Sequence, residues 1–429
     1  MLDSNDSAPT PLKLDPAGSS LRMRARAVAD RSAVASPPAH SRTAARRMPG
    51  QRIAAVDAAR GCAMILVCLS HIKHHFPETS PGLYWYLASA TRIATPTFLL
   101  LSGFVIGHLL RTDSSGRAGL SLVDRGLFLI IVAHALLGIA DLPQQAGFAA
   151  WVFGRAEITD VIGIALFVAV LLRAARASAL LALGAALCLV SWVIGMTLTP
   201  QSGWATLLGS VLFHLRAASS PTIEAPLVAY LGVFLIGMAL SVYVGRALLA
   251  RQDRAVARHL LITGAAALAV VGVGIMGWHF GKGHLPDALR EPDTMELLRA
   301  TFDPRTKWPP GPAYLLFYGG SALLLTSFLF YGRPAWLTTP AIRMTSVIGR
   351  ASLMCYVVQE LLLFAVPDAF GFATLTSVPF WFAYFAAVVL LLYWLATQWD
   401  EARGNRFLTV GLKRMSRVRL ERARRQGVQ

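Results

Sequence analysis

Residues 52–76 read RIAAVDAARGCAMILVCLSHIKHHF. The run from Val56 to Ile72 is about as long and apolar as a membrane-spanning helix requires, yet it carries Asp57, Arg60 and His71. Arg60 and His71 are eleven residues apart. At about 100° per residue they differ by only about 20° after three turns, so they share one helix face, roughly 16 Å apart along the axis. Asp57 lies one turn before Arg60 and can pair with it. Ionisable groups inside a span are costly and mark functional positions.

The rest of the chain extends this reading. Of its 429 residues 55 % are apolar and 15 % charged, where soluble domains carry roughly a quarter charged. The mean hydropathy is +0.54. These values exclude a disordered chain and argue against a soluble enzyme. Ten apolar segments of near-spanning length fall near 56–72, 93–110, 124–142, 158–173, 178–198, 225–246, 259–279, 312–331, 345–366 and 378–397. The stretch 204–215 is apolar but short and reads as interfacial or re-entrant. Backbone hydrogen bonding in lipid then dictates an all-α, polytopic transmembrane helical bundle of about ten spans.

The net charge of +17 is concentrated at the chain ends. Residues 1–52 hold nine Lys/Arg against four Asp/Glu, and 398–429 hold nine against three. Basic tails beside apolar spans are a positive-inside signature rather than a nucleic-acid footprint, so no nucleic-acid partner is expected; the partner is the lipid bilayer. Ten spans put both tails on the cytoplasmic side of the inner (plasma) membrane. Loops with Arg111, Arg117 and Arg125, with Arg173 and Arg176, and with Arg246, Arg251, Arg254 and Arg258 fall on that side too, whereas 281–310 balances five basic with five acidic residues. Residues 1–50, rich in Ser, Ala, Pro and Arg, read as a disordered basic tail. They lack a signal-peptide apolar core, and Met48 offers a second start. Residues 51–400 form the membrane domain and 401–429 a basic cytoplasmic tail. Cys62, Cys68, Cys188 and Cys355 lie in apolar runs without ligand spacing, so neither disulfides nor a metal site is expected.

Further polar residues stand in or beside the spans. Arg92 precedes the second, and His108 ends it. His134 lies about mid-membrane in the third, which begins Asp124-Arg125-Gly126, and reads as a buried, neutral, hydrogen-bonded histidine. Glu157 and Asp160 open the fourth as solvated ends or as holders of a polar substrate. Lys307-Trp308-Pro309-Pro310 leads into the eighth, where prolines suit a helix start. In the ninth, Arg350 lies near the inner end, with Gln359 and Glu360 deeper. Glu360 has no charge partner in its own span and must face the interior, a cavity or a basic group.

RIAAVDAARG followed by His71 resembles the first helix of membrane acyltransferases. Acyltransferase family three has a basic residue, ten residues, then histidine, as Arg60 and His71 do. TRIATPTFLLLSG, DRGLFLII, KWPPGPAYLL and IGRASLMCYVVQELLL resemble, in order, segments of the bacterial relatives of heparan-alpha-glucosaminide N-acetyltransferase. The resemblance runs from 52 to about 366. One position departs: Gln359 stands where such proteins usually carry a histidine. The resemblance implies a transmembrane acyltransferase that moves an acyl group, often acetyl, from cytoplasmic acyl-CoA to a sugar or glycan on the far side. His71, Glu360 and Asp57 are then the catalytic candidates. Arg60, Arg125 and Arg350, near the inner face, would hold the CoA phosphates, for which arginine forks are suited. Arg92, Lys307 and Gln359 would hold the acceptor. A histidine can take a proton from a hydroxyl or amine or carry the acyl group itself. The other reading is a transporter or flippase for a small polar or glycolipid substrate, although no internal repeat accompanies it. A homo-oligomer is compatible with either.

The loop charges generate a test. Reporters fused after residues 50, 300 and 405 should signal cytoplasm, exterior and cytoplasm in turn. An exterior signal at 50 or 405, or a cytoplasmic one at 300, overturns the topology.

Overall fold

The computed structural model describes residues 52–73, 81–113, 116–141, 156–199, 203–215, 225–332, 336, 338–371 and 377–412. The tail expected at 1–50 and residues 413–429 of the tail expected at 401–429 lie outside these residues. The described chain is helical, with no strand among the described residues. The helices are α1 (Ala54–Ile72), α2 (Pro81–Thr91), α3 (Ala94–Thr112), α4 (Arg117–Phe128), α5 (His134–Asp141), α6 (Ile158–Leu171), α7 (Ala177–Thr197), α8 (Gly203–Phe213), α9 (Leu227–Tyr243), α10 (Gly245–Leu249), α11 (Asp253–Gly281), α12 (Pro292–Phe302), α13 (Pro312–Tyr331), α14 (Pro340–Arg350), α15 (Ser352–Glu360), α16 (Val366–Phe370) and α17 (Val378–Glu401). Five-residue π-helical segments join α4 to α5 (Leu129–Ala133) and α15 to α16 (Leu361–Ala365).

Each of the ten apolar segments contains helix, but they do not all qualify as full spans. Seven helices are long and apolar enough to cross a membrane, or eight if α14 and the helix beginning at Ser352 count as one span. That pair is bent by 84°, so the continuous ninth span expected over 345–366 is broken at Ala351. Residues 340–350 carry Arg343, Thr345 and Ser346 and bury only their C-terminal half, from Thr345 to Gly349. The other two segments fall short because their helices end early. The 14 residues of α6 and the 17 of α9 measure roughly 21 and 26 Å at 1.5 Å per residue, against a hydrocarbon core of about 30 Å. The stretch near 204–215 folds as the short helix α8.

Lipid tails are as apolar as leucine, so helices in a membrane associate by close backbone approach rather than by hydrophobic segregation. The five most extensive helix contacts are α11 with α13, α9 with α3, α9 with α7, α14 with α1, and α4 with α6. Each is built on glycine from both sides: Gly264 and Gly320, Gly237 and Gly103, Gly232 and Gly184, Gly349 and Gly61, Gly126 and Gly163. A Cβ on Gly61 would stand 1.7 Å from the Thr345 carbonyl oxygen, and one on Gly349 would stand 1.8 Å from that of Asp57. The same helix then meets α1 twice. Gly349 lies against Asp57, and past the bend Ser352 meets Arg60 and Gln359 meets His71. The chain therefore turns at Ala351 and runs back along α1 toward its C-terminal end. That end, holding His71, is the far end below, and the end holding Asp57 and Arg60 is the near end.

The close crossing makes a sharp expectation. Gly61→Val should lower stability by at least about 1–3 kcal/mol, the usual cost of overpacking. Gly277→Val, with open space around its Cβ, should stay within about 0.5 kcal/mol. Thermal unfolding in detergent reads both, and equal shifts would refute the crossing.

Candidate active site

At the near end, α1, α4 and α14 bring basic side chains together, and α17 adds the Asp400 carboxylate. Arg60 donates to Ser352 Oγ at 2.6 Å, and its guanidinium lies 5.4 Å from the centre of the Phe98 ring. Its Nε is buried without a hydrogen-bond partner among the described residues. Asp57 lies within electrostatic reach of Arg60, Arg52 and Arg350, and Arg125 within reach of Arg60. The three arginines expected to hold phosphate thus gather at one end. The other two have protein partners as well. Arg350 Nε donates to Asp400 Oδ2 at 2.9 Å, while Asp400 Oδ1 accepts from Arg52 at 3.2 Å. Arg125 donates to the Asn405 carbonyl at 3.4 Å.

Sequence reasoning missed what holds this end shut. Residues 402–412 fold back over it. Asn405 Nδ2 donates to the Arg350 carbonyl at 3.0 Å and Asn405 Oδ1 accepts from Trp399 Nε1 at 3.1 Å. Asp124, only 2 % exposed, accepts three consecutive backbone N–H groups on one oxygen, from Val410, Gly411 and Leu412 at 2.9, 3.0 and 3.2 Å. Backbone donors leave no signature in a sequence. The signal available was Asp124 itself, an acid placed inside an otherwise apolar helix start.

At the far end, His71 Nδ1 stands 3.1 Å from both Gln359 Oε1 and Glu360 Oε1. Gln359 Nε2 donates to the same Glu360 oxygen at 2.9 Å. Gln359 is fully buried and Glu360 is 4 % exposed. Two acceptors on Nδ1 assign the proton to that nitrogen, so the lone pair of neutral His71 sits on Nε2. The ring packs against Phe364 and edge-on to Tyr356, with centroids 5.3 and 6.5 Å away. A buried carboxylate on an imidazole N–H fixes the tautomer and stabilises the imidazolium, which suits Nε2 to act as a base or a nucleophile.

The structure therefore joins His71, Gln359 and Glu360. It leaves Asp57, the third catalytic candidate, at the opposite end of α1 beside the arginines and away from His71. No described contact joins Arg92 or Lys307 to the His71 group. The Arg92 carbonyl accepts from Tyr314 at 3.4 Å. Lys307 Nζ lies 4.5 Å from the centre of the Trp308 ring, which stacks on His214. The loop histidines His74 and His75 lie outside the described residues. All four cysteines are free thiols, and no group of three or more His, Cys, Asp or Glu is placed to hold a metal among the described residues.

A family model described as heparan-alpha-glucosaminide N-acetyltransferase, catalytic, matches residues 52–272. The match takes in Arg60, His71 and Arg125 and ends before Arg350, Gln359 and Glu360. Comparison with curated proteins gives no match.

The near-end fastening is testable. Asp124→Ala leaves three part-buried N–H donors without their acceptor, at a cost of up to about 1–3 kcal/mol for an unsatisfied group. Proteolysis within 402–412 should accelerate in this variant and stay slow in Asp400→Ala, which keeps the three-donor contact. Equal protection in the parent and Asp124→Ala would refute the fastening.

Proposed function

The chain belongs to the heparan-alpha-glucosaminide N-acetyltransferase catalytic family, and from that membership we propose how this membrane acetyltransferase works. The donor is acetyl-CoA, bound by its phosphates at the near end. The acceptor is a sugar hydroxyl or amine that arrives at the far end. The near end faces the cytoplasm of a plasma (inner) membrane, as the basic tails suggest.

The observation that carries this reading is the His71 group. Its Nδ1–H is held by Glu360 and Gln359, which leaves Nε2 as the reactive nitrogen. Arg60, on the same face of α1 roughly 16 Å away, has an Nε donor without a partner among the described residues. The long arm of an acyl-CoA joins phosphates to thioester across that kind of separation. Arg125 and Arg350 add charge beside Arg60. Their bonds to Asn405 and Asp400 fix the guanidinium planes, as bidentate phosphate binding needs. Asp57 keeps the arginine cluster from repelling itself and has no part at the acyl carbon. Arg92 and Lys307 lie at the start of helices that run from the far end and supply positive charge for a polar acceptor. Gln359, in place of the expected histidine, completes the cage around His71 as an acceptor and donor at once.

Positioned base or nucleophile catalysis contributes about 10²–10⁴-fold. His71→Ala should therefore lose at least about a hundredfold in acetyl transfer while still binding CoA. Arg60→Ala should bind CoA more weakly and unfold at the parent temperature. Purified protein in liposomes, supplied with acetyl-CoA and glucosamine, provides the assay. Near-parental transfer by His71→Ala, with loss in His74→Ala or His75→Ala instead, would move the chemistry into the loop.

A further inference from the structure

A second imidazole–carboxylate pair stands beside the first. His134 Nδ1 is 2.8 Å from Asp160 Oδ2, with both side chains largely buried. Asp160 Oδ2 also accepts the backbone N–H of Glu157 at 2.9 Å, within a capping box that opens α6. Asp160 Oδ1 is buried and has no hydrogen-bond partner among the described residues. A carboxylate oxygen in that condition calls for a donor. Glu157, 2 % exposed, accepts from Tyr356 Oη at 3.4 Å, and Tyr356 lies edge-on to His71. The two pairs thus belong to one polar cluster drawn from α1, α5, α6 and α15. Helix α5 also packs on α15 and on the π-helical segment that follows it.

The backbone marks the same two places. The π-helical segment Leu129–Ala133 ends immediately before His134, and Leu361–Ala365 starts immediately after Glu360. Such segments are rare and collect at functional sites. A hydrogen-bonded core histidine accounts for one of these pairs taken alone. It accounts for neither the unfilled carboxylate oxygen nor the repeated backbone irregularity.

We infer that His134, held by Asp160, is a second base that takes the proton of the acceptor nucleophile. The inference rests on the acyltransferase reading above. Asp160 holds the Nδ1 proton of His134, as Glu360 holds that of His71, and each leaves Nε2 as the basic atom. One base suffices if the acyl group passes directly from donor to acceptor. Two are needed if His71 is already acylated when the acceptor arrives, and two are present. In the first step His71 Nε2 attacks the thioester carbonyl, an N–C bond forms, the C–S bond breaks, and CoA leaves as thiolate. In the second the acceptor O–H or N–H attacks the acyl carbon. Its proton passes to His134 Nε2, the new C–O or C–N bond forms, and the imidazole–acyl bond breaks with its electron pair returning to His71. Solvent takes the proton from His134 and supplies one to the thiolate. Asp160 Oδ1 is the acceptor available to a second donor of the incoming sugar.

His134→Gln keeps an N–H to donate to Asp160 and removes the base. Asp160→Asn keeps an oxygen for the Glu157 N–H, so the helix cap survives. The probes are acetyl-CoA with glucosamine, whose ammonium must shed a proton, or with hydroxylamine, which is an unprotonated nucleophile at neutral pH. The parent should transfer to both. His134→Gln should release about one equivalent of CoA per protein and lose at least about a hundredfold in transfer to glucosamine. Hydroxylamine should restore its turnover, and Asp160→Asn should follow the same pattern more mildly. His71→Asn should release no CoA above the uncatalysed rate with either acceptor. Parental transfer to glucosamine by His134→Gln overturns the inference. So does a loss with both acceptors in a variant that unfolds at the parent temperature. A parent that transfers to neither overturns the acyltransferase reading, and this inference with it.

Discussion

The backbone crossing of α1 on α14 sets the register of the polar contacts that Arg60 and His71 make at the two ends of α1. Thr345 and Asp57 carbonyl oxygens occupy the space that side chains on Gly61 and Gly349 would need. Two helices this close have little freedom to slide, because a shift of one residue would bring a Cβ into a carbonyl. The bend at Ala351 then returns the chain along α1. One register accordingly fixes two contacts, Arg60 with Ser352 and His71 with Gln359 and Glu360. A straight ninth helix could not make both together with the Gly349–Asp57 contact, since the order of partners along α1 reverses at the bend.

The same logic explains how ten apolar segments become a bundle rather than a row of independent rods. Packing in lipid rewards small residues at crossings, and glycine on both sides of the five largest contacts lets main chains touch. Polar groups are left to the helix ends and to one interior seam. At the near end they close on the protein itself through Asp400, Asn405 and the backbone of residues 410–412. At the far end they converge on two imidazoles.

Much of this was legible in the sequence because it depends on spacing along one helix. The shared face of Arg60 and His71 follows from eleven residues at helical pitch. The need of Glu360 for an interior partner follows from the cost of a lone carboxylate in a span. The structure supplies His71. What spacing could not show is what folds in from elsewhere. His134 and Asp160 are separated by 26 residues and sit on different helices, so neither names the other. The grip of Asp124 is on backbone N–H groups, which every residue but proline has. The break at Ala351 hides in a run from 345 to 366 that reads as one apolar segment. Neither Arg92 nor Lys307 has a described contact with the His71 group, and nothing in the spacing of the sequence says which side chains of different helices meet.

Burial of Glu360 is the last step in reading the far end as a reaction centre. An ionised carboxylate inside a protein loses several kcal/mol of hydration, and a well-packed apolar side chain of the same volume is often at least as stabilising. Here the carboxylate receives the Gln359 amide and faces the His71 ring nitrogen, while one oxygen of the neighbouring Asp160 carboxylate has no hydrogen-bond partner among the described residues. Two oriented imidazoles, two buried carboxylates and one open acceptor together give up stability that apolar packing would have supplied. In return the site holds basic nitrogens in fixed tautomers, away from bulk water. Acyl transfer requires that arrangement, whereas helix association does not.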